Sequence, residues 1–433
     1  MPLTRGWLSH TCAALLLTAA TAGWTGPAAA QPPAYPTKFS RALADTPAVK
    51  AALQQIDRDF PAQVEEWIRI NEIPAPSTHE QKRAAYLVQQ FQAMGLSPTT
   101  DEIGNVVARI KGTGGGPTVV FAAHMDTVHP MDANVRVTRK DGQLHAPGIF
   151  DNSASVANML AAARAIRASG LRTKGDIVLI ATVQEELGLN GMEHWLDKNP
   201  GAADMLVGLD GGLGPVSYGA LGIYWSEMIF RGEGSHTLYS RGKPHPARAA
   251  ARCILDLYTI PLPDPAGTPA VYNVGKLRGG EVVNAIPQEV AFTVDLRTTD
   301  PALLTSLDAA IVEKCQAAAK AERVTFERTF IQRSEAGGTE ADLAPRRQHP
   351  LVQTAVDVLQ YLGVRLPAGR EAAATGSTDA NAGVLRKIPS IAVGRSNGGN
   401  QHTLSEWSDI DSARIGTKQI ILLAAALAEL SPP

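Results

Sequence analysis

His124 and Asp126 stand two apart in FAAHMDTV, and Asp151 lies in GIFDNSA. Glu185 and Glu186 sit side by side in ATVQEELGLNG, Asp210 lies in GLDGG, and His402 in NQHTLSE. Imidazole and carboxylate are the donors that zinc takes when cysteine is not used, with manganese or cobalt as alternatives. A set of this size can supply ligands for two ions, a carboxylate that orients a ligating histidine, and a general base. Burying so many carboxylates together without cations is prohibitive, because like charges repel and burial strips their water. The set therefore points to a metal-dependent hydrolase. Blander roles compete with this at each position. Asp151 can cap the helix that SASVANML begins, Glu185 and Glu186 can open a solvated helix, and Asp210 can be a turn residue before Gly211 and Gly212.

The elements around these residues explain how they could meet. NVVARI, PTVVFAAH, DIVLIATV, MLVGLD and PSIAVG read as buried strands. AQVEEWIRINEI, EQKRAAYLVQQFQAMG, SASVANMLAAARAIRAS and the C-terminal ARIGTKQIILLAAALAEL read as helices. Strands alternating with helices predict an α/β fold, a mostly parallel sheet flanked by helices. His124, Glu185 and Asp210 each follow or end one of the strands. In such a sheet the functional crevice lies beyond the carboxyl ends of the strands.

The rhythm changes between residues 222 and 332. A strand, GIYWSEMIFRG, and a helix, PARAAARCILDLY, precede two strands, AVYNVGKLRGG and EVAFTVDLRT. A second helix, PALLTSLDAAIVEKCQAAAKA, and a strand, RVTFERTFI, complete the segment. The order β-α-β-β-α-β is the ferredoxin-like pattern. The expected organisation is a signal peptide over residues 1–30, a catalytic domain over 31–221 and 333–433, and an inserted lid or dimerisation domain over 222–332.

Whole-chain properties narrow the class. The chain has 433 residues and a formal net charge of −2, with no basic run or aromatic-basic interleaving of the kind nucleic acid requires. Arg5, the apolar stretch CAALLLTAATAGW and GPAAA before Gln31 predict a secretory signal cleaved after Ala30, hence a secreted or periplasmic protein. No nucleic-acid partner is expected, and no membrane contact beyond the signal. Cys253 and Cys315 remain after cleavage and could form one bridge in an oxidising compartment; the sequence leaves their state open.

The motifs HMDTV, FDN, QEELGLNG, LDGG, GEGSH, VVNAIPQEV, DLRT and GSTDAN occur in an order that resembles peptidase family M20, the dinuclear zinc hydrolases that include aminoacylase, tripeptidase and succinyl-diaminopimelate desuccinylase. The resemblance covers essentially the whole mature chain. It implies two Zn²⁺ per subunit (Mn²⁺ or Co²⁺ possible), with Asp151 bridging them, His124 and Asp210 completing one site, and Glu186 and His402 the other. It implies that Asp126 orients His124 and that Glu185 is the general base for the attacking water. His236 is implied to reach a neighbouring subunit's active site in a homodimer. Asn284 and Arg297 are implied to grip substrate, and Gly376, Ser377 and Thr378 to line the same cleft. The expected activity is hydrolysis of amide bonds in short peptides. The alternatives are an N-acyl amino acid amidohydrolase and a catalytically silent peptide-binding homologue.

Overall fold

The computed structural model of the chain describes residues 35–263 and 270–432; the segment 1–30 lies outside them. The first long helix, Pro47–Asn71 (α1), begins well before the AQVEEWIRINEI segment and continues through Pro61. Proline inside a helix removes a hydrogen bond. Here the buried stripe Val49, Ala52, Ile56, Phe60, Val64 and Trp67 keeps a three- and four-residue spacing across the proline, so packing holds the helix together. Gln81–Ala93 (α2) follows.

The four longer strands of the central sheet that precede the insertion are Val106–Ile110 (β1), Val119–His124 (β2), Ile177–Thr182 (β3) and Met205–Leu209 (β4). Between β2 and β3 runs Ala154–Ala168 (α3), buried on almost every side. β2 pairs parallel with β3 and with β4, while β1 joins β3 antiparallel. All six residues of β2 are buried. Val119, Phe121 and Ala123 join the core of α1 and α3, whereas Val120 and Ala122 face a second cluster with Met192, Trp195 and Leu196. A parallel strand covered on both faces is therefore a continuous apolar run.

The chain then leaves this sheet to build another. Gly222–Arg231 (β5), Pro246–Leu257 (α4), Ala270–Gly279 (β6), Glu289–Thr298 (β7), Pro301–Glu322 (α5) and Thr325–Ser334 (β8) follow in order. The strands lie as β6-β7-β5-β8, all antiparallel, which is the ferredoxin-like arrangement. Their core is separate, made by Tyr224, Met228, Phe230, Phe292 and Val294 against residues of α4 and α5. Cys253 of α4 and Cys315 of α5, both buried, form a disulfide.

The chain returns as Ser390–Val393 (β9), parallel to β4, and ends in Ile410–Leu427 (α6), whose first turn is capped by Asp409. A small antiparallel sheet pairs Trp407–Asp409 with Gln143–His145. It ties the loop carrying His402 to the loop carrying Asp151. The fold is thus α/β, with a mostly parallel sheet and an inserted ferredoxin-like unit, and no described helix is long and apolar enough to cross a membrane.

Candidate metal centre

His124 ends β2, Asp210 directly follows β4, and Glu185 and Glu186 occupy a single helical turn, Glu185–Leu187, just after β3. Because these three strands are parallel neighbours, their carboxyl ends deliver all four side chains to one rim. Asp151 comes from an irregular turn, Ile149–Ser153, that interrupts the entry to α3. The turn's backbone is held by one buried carboxylate: Glu406 accepts N–H groups from Gly148 (3.0 Å), Phe150 (2.8 Å) and Asp151 (2.7 Å). Gly148 has φ +75°, and a Cβ there would stand 2.7 Å from Thr127 Cγ2, so the turn needs glycine. Asp151 does not cap α3; Ser153 occupies the cap position without a side-chain bond.

Asp151 presents one oxygen to each histidine. Its Oδ1 lies 3.1 Å from His124 Nε2 and its Oδ2 lies 3.4 Å from His402 Nε2. On the first side Asp210 Oδ2 is 3.8 Å and Glu185 Oε2 is 4.0 Å from His124 Nε2. On the second side Glu186 Oε1 is 3.2 Å from His402 Nε2. His124 Nδ1 sits 3.2 Å from the Asp126 carbonyl and 3.4 Å from its carboxylate. Nδ1 is thereby engaged by Asp126 and Nε2 is directed at Asp151, the orientation in which Nε2 would serve as the donor to an ion. Asp126, fully buried, also accepts from Ser77 Oγ (2.6 Å) and from the backbone N–H groups of Glu185 (3.1 Å) and Glu186 (3.2 Å). One carboxylate therefore fixes both the imidazole and the turn that carries the two glutamates.

The charges are arranged for cations. Burial, reinforced by Asp210, Glu186 and Asp379, drives Glu185 well above the usual carboxylate range against the opposing pull of His124. Burial likewise raises Glu186. Burial works against a charged His124, but Glu185, Asp126, Asp151 and Asp210 outweigh it and lift the ring well above its ordinary value. Asp151 and Glu186 push His402 up to about 10. Glu186 Oε1 is buried, and the half-exposed His402 ring is its one ion-pair partner among the described residues. Two overlapping groups, His124–Asp151–Glu186 and His124–Glu185–Asp210, each offer three donor atoms within 4.8 Å of one another. An oxygen and imidazole donor set with a carboxylate between two histidines suits a pair of divalent ions.

Three contributors escaped the sequence reading. Arg395, just after β9, forms an ion pair with Asp210 and places Nη2 3.1 Å from Asp151 Oδ1. Asp379, in GSTDAN, accepts from Thr182 Oγ1 (2.6 Å), and burial, with Asp126 and Asp210 nearby, raises it to about 7. Glu406 cradles the Asp151 turn. The available signal was position: Arg395 directly follows an apolar strand at its carboxyl end, where a charge has no packing reason to be.

The remaining expected site residues lie elsewhere in the chain. Thr378 is buried and accepts from Ala380 N, and the Gly376 carbonyl accepts from Asn381 Nδ2, so these shape the loop that presents Asp379, while Ser377 is exposed. His236 and Asn284 are brought together on the inserted unit, where His236 pairs with Ala285 and the Asn284 carbonyl accepts from Thr237 N. His236 Nδ1 accepts from Leu238 N. Both residues are exposed, and His236 lines a cavity of about 780 Å³ that also borders Arg278 and Val282. Arg297 is paired with Asp295 and lies over the Trp225 ring. Within one chain none of these three is among the hydrogen-bond or ion-pair partners of the cluster.

Residues 120–426 match the model of peptidase family M20/M25/M40. Among curated proteins, acetylornithine deacetylase of Myxococcus xanthus is 31% identical over 45% of this chain and 53% of its own length. The chain spans from 48% to 66% of the length of the first curated relatives it matches. A tripeptidase of Staphylococcus aureus superposes with a TM-score of 0.70 at 21% identity, covering 85% of this chain and 98% of that one. A dinuclear metal-binding peptidase of Bacillus subtilis superposes at 0.60 with 17% identity, covering 87% and 100%. These two likenesses concern the fold.

Proposed function

Because the chain belongs to peptidase family M20/M25/M40, we propose that it is a secreted zinc-dependent peptidase that hydrolyses amide bonds of short peptides. The observation that carries this reading is Asp151 facing His124 with one oxygen and His402 with the other, with Glu185 alongside. His124, Asp210 and Asp151 would hold one ion, and Glu186, His402 and Asp151 the second. When bound, the two ions supply Lewis acidity for the scissile carbonyl and lower the pKa of the attacking water. Glu185 takes the proton from that water and returns it to the leaving nitrogen. Asp126 keeps His124 in one tautomer and holds the Glu185 N–H, so base and ligand stay in register.

A second reading, hydrolysis of N-acyl amino acids, is favoured by the 31% identity to a deacetylase. Both readings need the same centre and differ in what fills the cleft. Secretion is supported by the Cys253–Cys315 bond, since disulfides persist in oxidising compartments. Assembly as a homodimer through the inserted unit is supported by the outer edge of β6, which pairs with no other strand among the described residues and exposes Val271 and Leu277. In such a dimer His236 and Asn284 would complete the partner's cleft.

The test combines metal analysis with a panel of tripeptides, dipeptides and N-acyl amino acids. About two ions per chain, activity lost to a chelator and activity restored by zinc, manganese or cobalt are expected. Hydrolysis that persists in protein shown to be free of metal would refute the mechanism. Two bound ions with no hydrolysis across the panel would leave a silent binding protein.

A further inference from the structure

Arg395 is fully buried, and its guanidinium lies 4.0 Å from the centroid of the Phe150 ring. Its Nη1 is bound to Asp210 Oδ1, and its Nη2 stands 3.1 Å from Asp151 Oδ1. Nε and Nη2 have no hydrogen-bond partner. The group is therefore held by charge and by the aromatic face more than by a full set of hydrogen bonds, and arginine retains that charge even when buried. Asp210 Oδ1 also accepts the Gly211 N–H at 2.6 Å. That oxygen is doubly engaged, leaving Oδ2, the one 3.8 Å from His124 Nε2, to face the centre. The other side is different: Glu186 faces His402, and no lysine or arginine pairs with Glu186 among the described residues.

We propose that Arg395 is a positioning residue that makes the two metal positions unequal. It holds Asp210 as a single-oxygen donor and sets a permanent positive charge beside the His124–Asp210 position, which then binds its ion more weakly than the Glu186–His402 position. The inference rests on the two-ion reading above. Its consequence is graded loading: at limiting metal supply the Glu186–His402 side fills first, and the second ion enters only at higher concentration. A unit charge a few ångströms away, at the effective dielectric of a protein, is enough to separate the two affinities by about tenfold or more.

Calorimetric titration of metal-freed protein with Zn²⁺ tests this without any activity measurement. The natural chain should bind two ions in two resolved steps. Arg395→Met, which keeps length and removes charge, should tighten the weaker step by about tenfold or more and leave the tighter step within about threefold. Arg395→Lys, which keeps the charge, should retain the two-step isotherm. Thermal melts of the metal-free forms establish that each variant is folded, and Arg395→Gln carries the same expectation if the methionine variant does not fold. An unchanged ratio of affinities in the uncharged variant, or a weaker step that loosens further, would overturn the proposal. A natural chain that binds fewer than two ions would instead overturn the two-ion reading itself, before any variant is compared.

Discussion

Glu185 and Glu186 are neighbours in the chain yet face different partners. Glu185 approaches His124 and Glu186 approaches His402, because a single tight turn after β3 points successive side chains apart. Replacing Glu185 by alanine should leave the metal content near that of the natural chain and lower turnover by about 10²–10⁴, the range expected for loss of a general base; metal analysis beside kinetics separates the two effects. The histidines give a pH prediction. His402 is pushed up to about 10 and His124 is raised well above its usual value, so at neutral pH the metal-free chain carries protons on both rings. An incoming cation must displace them. Metal affinity should therefore rise with pH and fall as the solution is acidified, with net proton release visible by calorimetry in buffers of different ionisation heat. Binding with no proton release would contradict this. Residue types and spacing made the ligand candidates legible in the sequence. Beyond the place of Arg395 just past the carboxyl end of a strand, Arg395 and Asp379 were not legible, because their partners depend on which loops fold against each other.

At the scale of elements, the strands were readable because β2, β3 and β4 are buried on both faces and so carry uninterrupted apolar runs. The start of α1 was not, since Pro61 is locally a helix breaker and only the buried stripe on both sides of it overrides that preference. Loop geometry was the least legible. The turn presenting Asp151 depends on Glu406, 255 positions away. Glu406→Ala would leave three buried N–H groups without an acceptor, each costing about 1–3 kcal/mol. The metal-free melting temperature of that variant should drop well below that of the natural chain. His402→Ala, at a half-exposed position, should lose metal affinity and destabilise the metal-free chain less than Glu406→Ala does. Parallel melts and metal titrations distinguish the two, and equal destabilisation by both would argue against Glu406 as the cradle.

For the whole molecule, the change of rhythm between residues 222 and 332 pointed to an insertion, and the ferredoxin-like order followed from its element sequence. The pairing of its cysteines did not, because two thiols 62 residues apart carry no local sign of contact. Closing a loop of that length is worth roughly 4 kcal/mol by chain entropy. The double replacement of Cys253 and Cys315 by alanine should lower the stability of the inserted unit by an amount of that order, read by denaturant unfolding. The same bond also determines what a protease can achieve. A single backbone cut anywhere between Cys253 and Cys315 leaves both fragments tethered, so the nicked chain migrates at full mass until a reductant is added. Wherever it meets a protease, the chain would then survive one incision in the inserted unit without shedding either half.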